Sequence, residues 1–224
     1  MTPNDYKGFG LYAKDHGVSS LDLHRYNQRV ENSLTPYILE ERQMNVTIMD
    51  VFSRLMMERI IWVAGEVNDH MSTIVQAQLM FLDSLDNLDI TMHIDSPGGS
   101  VKSGLSMVDV MDYINSDIRT INTGMAASMG SVLLGAGTKG KRGSLRFSRT
   151  MLHQSSGGAG GNIQDARITF QEWEKVNDTL FELLGGYCGK SAEQVKSDAS
   201  RDLWLGADEA LSYGIIDEIV KKKK

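Results

Sequence analysis

The stretch Thr123–Gly137, TGMAASMGSVLLGAG, decides how this chain is read. It is built mainly from Gly, Ala, Ser and Met, and no charge follows it until Lys139. Three structures compete for such a run: a membrane span, a buried helix with crowded packing, or a helix that begins at a reactive serine. A span needs about 20 predominantly apolar residues. This run is interrupted by Thr123, Ser128, Ser131 and several glycines, so the membrane reading fails.

The sequence on either side alternates between two periods. RIIWVAG (Arg59–Gly65) is a short β-branched run, a buried-strand signal. Val75, Leu79, Leu82 and Leu85 then recur at helical spacing. DITMHIDS is a second strand ending in the turn PGGS, where Ser100 caps a helix with Val101, Leu105, Val108 and Met111 on one face. IRTINTG is a third strand, and the helix after it is expected to start near Ala126. This rhythm predicts βαβ units and a largely parallel sheet.

Beyond the run, RGSLRFSRTMLHQS looks like paired strands, followed by the glycine-rich GGAGG. Ile163, Ala166, Phe170, Trp173, Val176, Leu180 and Leu184 step by three and four, predicting a helix of roughly 30 Å. Ser191 and Gln194 make a capping box for a short helix. The last stretch, RDLWLGADEALSYGIIDEIV, returns to a helix and an edge strand.

The chain has 224 residues, 41% of them hydrophobic, enough for one sizeable core. A formal net charge of −6 argues against a protein that neutralises nucleic-acid phosphates over a wide face. The only basic run, Lys221–Lys224, reads as a solvated tail. Cys188 is the single cysteine, which excludes an internal disulfide and a thiolate-rich zinc site. The polar start MTPNDYKGFG lacks the apolar core of a secretory signal, and a reducing cytoplasmic home is expected. Residues 1–35 read as a mobile leader or a removable propeptide, and the globular part as residues 36–220.

Two glycine patterns mislead. GAGTKG (Gly135–Gly140) matches a dinucleotide fingerprint, and GAGTKGKR matches a phosphate-binding loop except that Arg142 replaces the magnesium-binding hydroxyl. Both need a strand before the glycines and a helix after them. Here the order is reversed, so a helix C-terminus with glycine caps is expected instead.

Ser128 would be a packing residue were no base available, because a serine hydroxyl is a poor nucleophile alone. Its place on the first turn favours a developing negative charge, and Ala126, Ala127 and Gly130 leave room for a carbonyl. Among the histidines, His16 and His24 lie in the leader, His70 reads as an exposed cap, and His93 sits on a half-buried strand face. His153 closes TMLH directly before QSSGG, which makes it the best base. Asp202, in SRDLW, is the candidate to orient the imidazole. The order Ser, His, Asp differs from the α/β-hydrolase order, and no G-x-S-x-G elbow surrounds Ser128, so a triad here needs another scaffold.

Several long blocks in order, from MDVFSRLMMERIIWVAGEV through IDSPGGSVKSGLSMVDVM, TGMAASMGSVLLGAGTKGKR and MLHQ to RDLWLGADEALSYGIIDEI, resemble the ClpP family, the proteolytic subunit of the ATP-dependent Clp protease. The likeness covers about Tyr37 to Val220. It implies an α/β, ClpP/crotonase-like fold of repeated β-β-α and βαβ units with a protruding handle over about residues 155–186. It also implies Ser128 as nucleophile, His153 as base, Asp202 as orienting acid, and Gly99 and Met129 as oxyanion-hole donors. Substrate would lie as an added strand against Gly98, Gly99 and Val101 on one side and Ser156 and Gly157 on the other. Asp165 and Arg201 would form an inter-ring ion pair between two stacked homo-heptamers, a tetradecamer fed by an AAA+ Clp unfoldase. Neither cofactor nor metal is implied, and neither nucleic acid nor membrane is a partner.

The chain departs from the family pattern at Ser155, often Pro, and in the handle at Asn162 and Arg167. His93 replaces a tyrosine of the family's unfoldase-docking pocket and Asp95 an asparagine, so weaker docking, or docking sensitive to the His93 charge, is expected. Two alternatives stand beside the peptidase: a crotonase-like acyl-CoA enzyme, and a catalytically silent ring subunit.

Overall fold

The computed structural model describes residues 37–42, 45–158 and 160–222. The leader expected over residues 1–35 lies outside them. The chain divides into two compact units, residues 1–54 and 55–224. In the first, β1 (Tyr37–Arg42) and β2 (Asn45–Asp50) pair antiparallel, with Tyr37 opposite Asp50. The Asp50 carboxylate accepts the N–H groups of Phe52 and Ser53, opening the short helix α1 (Val51–Met57). This hairpin is not among the elements expected from the sequence.

The second unit opens with the expected alternation. β3 (Ile60–Ala64), α2 (Asp69–Leu85), β4 (Ile90–Ser96), α3 (Val101–Tyr113) and β5 (Ile118–Ala127) build a parallel β3-β4-β5 sheet. α4 (Met129–Gly135), β6 (Gly143–Ser144), β7 (Arg149–Leu152), α5 (Ile163–Cys188), α6 (Ala192–Asp198), β8 (Leu203–Leu205), α7 (Ala207–Tyr213) and β9 (Glu218–Ile219) complete it. Only the β7–β8 pair of this seven-stranded sheet is antiparallel. The mixed α/β architecture is the one the sequence implied.

Side-chain periodicity accounts for most of the core. On α2, capped by the Asn68 side chain, Ser72, Val75, Leu79 and Leu82 are buried. Leu85, expected on the same stripe, is exposed because the helix ends there, at Asp86. β3 alternates rather than being buried throughout: Ile61 and Val63 face the core, whereas Trp62 is exposed and stacks on His93.

The expected pairing within Arg142–Ser155 is not found. β6 and β7 do not pair with each other. They lie one after the other along the ten-residue β5, β6 at Ile121–Asn122 and β7 at Met125–Ala127. The link between them is held to β5 by Asn122, whose carbonyl accepts from Leu145 N–H and Ser148 Oγ, while its amide donates to the Arg149 carbonyl. A strand this long accommodates two short neighbours, which sequence periodicity cannot distinguish from a hairpin.

α5 is capped by the Asn162 side chain and spans 26 residues, about 39 Å at 1.5 Å per residue, longer than expected. Its apolar stripe changes character midway. Leu180, Phe181, Leu184 and Cys188 are buried, but Ile163, Ile168 and Phe170 are exposed.

The glycines of Gly135–Gly140 close α4 and lead into β6, as the order of periods required. Their cations are engaged. Lys141 Nζ binds Asp89 and Asp117, and the buried Arg142 guanidinium grips Asp217 and the carbonyls of Tyr187 and Gly214. Asp217 also accepts from Gly140 N–H at 2.8 Å.

Candidate active site

Register brings the candidate residues to one end of the sheet. Ala127 on β5 pairs with Met151 on the parallel β7, and the Ser128 N–H donates to the Met151 carbonyl at 2.9 Å. β8 runs antiparallel to β7, with Leu152 opposite Leu203. One step beyond that pair, His153 meets Asp202, and Nδ1 lies 3.5 Å from Oδ1. The ends of three neighbouring strands therefore carry Ser128, His153 and Asp202. The turn after β4, the next strand across, carries Gly98 and Gly99.

The local backbone explains the opening stretch. Between Ile94–Asn122 and Ser96–Ala126 the β4–β5 register shifts, so Thr123–Met125 bulge out. The Asp95 carboxylate fills the bulge by accepting Met125 N–H at 2.9 Å, and a Cβ on Gly124 would stand 2.5 Å from it. The strand ends at Ala127, not before Ala126 as expected, because Ala126 and Ala127 pair with Thr150 and Met151. Ser128 is the kink, with φ +53° and ψ −123°. A non-glycine residue held there stores of order 1–3 kcal/mol of strain. Its side chain makes no capping hydrogen bond to α4, and the residue is partly exposed.

All of α4 is buried, so small residues line its contacts. A Cβ on Gly130 would stand 2.8 Å from the Ser96 carbonyl, and one on Gly135 would strike Tyr187 and Ile215. Gly104 of α3 leaves space for the Met129 side chain.

The turn after β4 stands against the Ser128 kink. Val67 N–H donates to the Gly98 carbonyl and Ser100 N–H to the Val67 carbonyl, each at 2.8 Å, which fixes the turn. Gly98 N–H is taken by Ser96 Oγ. Among the described residues, neither Gly99 N–H nor Met129 N–H has a protein acceptor. The turn requires its glycines, with φ +91° at Gly98 and +147° at Gly99.

The cleft beside these groups has a volume of about 1320 Å³. Gly99 and Val101 lie on one wall, Gln154–Gly157 on another, and Phe170, Trp173 and Asn177 of α5 close it. Gly98 borders Ser128 rather than lining the cleft. His153 is partly exposed and Asp202 more so. Among the described residues no hydrogen bond joins Ser128 Oγ to the imidazole. Asp165 and Arg201 form no ion pair within the chain; Asp165 pairs with the Asn162 amide.

A second groove of about 870 Å³ lies along Ile60, His93, Ile121, Leu145 and Ile219. Burial, then the Arg119 charge, push the His93 imidazole pKa below its ordinary value, and its buried Nδ1 has no hydrogen-bond partner. Asp95, two residues on, turns into the β5 bulge instead. Among the described residues, no cluster of His, Cys, Asp or Glu has the geometry to hold a metal ion, and no helix is long and apolar enough to cross a membrane.

Asn177 escaped the sequence reading. Its Oδ1 accepts both the N–H and the hydroxyl of Ser155. Its only signal was its place on the α5 face toward QSSGG.

The profile of the family described as Clp protease matches residues 41–223. An ATP-dependent Clp protease proteolytic subunit of Bacteroides fragilis is 49% identical over 217 residues, 96% of this chain and 99% of that protein. One of Porphyromonas gingivalis is 47% identical over 218 residues, 96% of this chain and 98% of that protein. Another, of Bacteroides thetaiotaomicron, is 48% identical over 217 residues, again 96% of this chain and 99% of that protein. Likeness of this depth over nearly the whole length, on a fold that brings strand-end residues around a strained serine, has one explanation: the chain belongs to the Clp protease family and is a peptidase.

Proposed function

We propose that the chain is a serine endopeptidase in which Ser128 attacks the peptide carbonyl. His153 takes the hydroxyl proton and returns it to the leaving amine, and Asp202 holds the imidazole in the required tautomer. The N–H groups of Gly99 and Met129 receive the oxyanion, and water then resolves the acyl-enzyme. The observation that carries this is the strand register that sets His153 opposite Asp202 and beside the Ser128 kink. The 3.5 Å separation shortens when bound peptide excludes water from the partly exposed pair.

Substrate lies extended between the Gly98–Val101 segment and Ser156–Gly157, adding a strand whose main-chain hydrogen bonds read no particular sequence. This explains broad tolerance. Two stacked seven-membered rings enclose the sites in the cytoplasm, with the exposed half of α5 as the inter-ring handle and Asp165 and Arg201 as its ion pair. An AAA+ Clp unfoldase docks over the His93 groove and delivers unfolded polypeptide. The acyl-CoA alternative is disfavoured because its relatives use carboxylate catalysts, and the silent-subunit alternative because all three triad positions are filled.

The test is a serine-reactive phosphonate, read by intact mass on the assembled particle. One adduct per chain is expected, absent in Ser128→Ala. Unmodified wild-type protein overturns the proposal. The mass of the intact particle reports the subunit count.

A further inference from the structure

The wall of the cleft that follows His153 is a segment without secondary structure, Gln154–Gly158. Such a segment positions substrate only if something fixes it, because an unrestrained backbone loses conformational entropy when the peptide binds. Three contacts hold it. Asn177 Oδ1 accepts Ser155 N–H at 3.0 Å and Ser155 Oγ at 2.9 Å. Gln154 Nε2 donates to the Ser200 carbonyl at 3.1 Å. Gly157 lies against the Trp173 indole, where a Cβ would stand 2.8 Å from the ring. Asn177 and Trp173 are four residues apart, on one face of α5.

We propose that Asn177 is a positioning residue that latches the substrate-binding segment to α5 and sets the register of the bound peptide. The claim rests on the peptidase reading above. In an extended segment the main-chain groups of successive residues point to opposite sides. With Ser155 turned to Asn177, the main-chain groups of Gln154 and Ser156 face the other way, where a peptide strand pairs. If Ser155 turns away, the pairing set slips by one residue and every substrate side chain changes face. A proline at position 155 would restrict this segment through its ring and would have no N–H to offer. Ser155 supplies both donors, so here a hydrogen-bonded restraint reaches from α5, and it can open.

The experiment compares Asn177→Ala, Asn177→Asp and Ser155→Pro in the full-length assembled protein. Amide hydrogen exchange over residues 154–158 is read first, because it needs no turnover and decides the latch whether or not the chain hydrolyses peptides. Exchange there is expected to quicken in Asn177→Ala and to stay slow in Asn177→Asp, whose carboxylate still accepts both bonds. Unchanged exchange in Asn177→Ala overturns the latch.

Small-peptide kinetics are read second. For this partly exposed pair KM should rise about 3- to 10-fold in Asn177→Ala, with kcat changed less, and return toward wild type in Asn177→Asp. In the Ser155→Pro background Asn177→Ala should change KM less than about 2-fold. Equal effects in both backgrounds, or faster exchange with unaltered KM, overturn the positioning role. Loss of the phosphonate adduct on Ser128 in wild type, with exchange as expected, would sink the peptidase reading and leave the latch standing.

Discussion

Gly98 approaches Ser128 so closely that a Cβ on the glycine would stand 2.6 Å from the serine Cβ, and 2.9 Å from the Met129 nitrogen. The turn after β4 and the kink after β5 are therefore fitted to each other, backbone against backbone. Each sets where the other's N–H points. In Gly98→Ala the turn must shift, and the φ of +91° adds strain. We expect kcat/KM for a small peptide to fall by on the order of 10²-fold, the loss of about one oxyanion donor. Phosphonate labelling should slow in parallel. Near-wild-type turnover in Gly98→Ala would mean that the two segments move freely past one another.

Arg142 and Asp217 form a pair in which the guanidinium is buried and the carboxylate nearly so. Burial alone would raise the Asp217 pKa, but hydrogen bonds from the Arg142 side chain and backbone, with its charge, hold it well below the carboxylate range. Asp217→Ala leaves the buried cation unpaired and should cost about 3–5 kcal/mol in denaturant unfolding. The sign of the pH dependence follows from the depressed folded value. The contribution is complete above the ordinary value of 3.8 and is lost as pH falls below it toward the folded value. The stability gap between wild type and variant should therefore narrow in acid. A gap that is constant from pH 6 to 3 would contradict the pairing.

Burial, then the Arg119 charge, disfavour the charged form of His93, whose ring stacks on Trp62 at 4.8 Å. Since the folded pKa is depressed, its contribution is complete above 6.5 and is lost as pH falls from there toward the folded value. His93→Tyr should flatten that part of the stability profile. If the groove along His93 takes the unfoldase, His93→Tyr should also tighten docking, or remove its pH dependence between pH 6 and 8. Identical affinities for wild type and variant across that range would exclude His93 from docking.

The lone thiol is an independent check on packing. Cys188 is buried at the end of α5, and burial pushes its pKa up to about 11 despite the nearby cations of Arg142, Lys190 and Lys139. The thiolate is the reactive form. Native protein at pH 8 should resist iodoacetamide for hours, and urea-unfolded protein should react within minutes. Fast modification of the native form would show that the α5 terminus opens readily.

Much of this was legible in the chain, and the exceptions share a cause. Ser100 and Ser191 announce helix starts because a capping side chain acts within three residues, and the Asn162 cap was open to the same reading. The order of periods around Gly135–Gly140 dismissed the phosphate-loop pattern for the same local reason. What escaped was non-local. No periodicity says that β6 and β7 share β5, that Asp95 props a bulge, or that Asn177 reaches Ser155 across 22 positions. The proximity of His153 and Asp202 was expected only through family likeness, since their meeting depends on the β7–β8 register.

The outer half of α5 has a consequence for the isolated subunit. From Ile163 to Phe170 no residue is buried, and Ile163 is 80% exposed. A helical segment without tertiary cover keeps its turns only through intrinsic propensity and side-chain pairs, which are marginal in water over so few residues. Melting of a lone subunit should therefore begin at Asn162 and travel inward, stopping where Trp173 packs against Gly157 and Asn177 binds Ser155. A newly made chain, before it meets its fellows, would carry this helix only half formed.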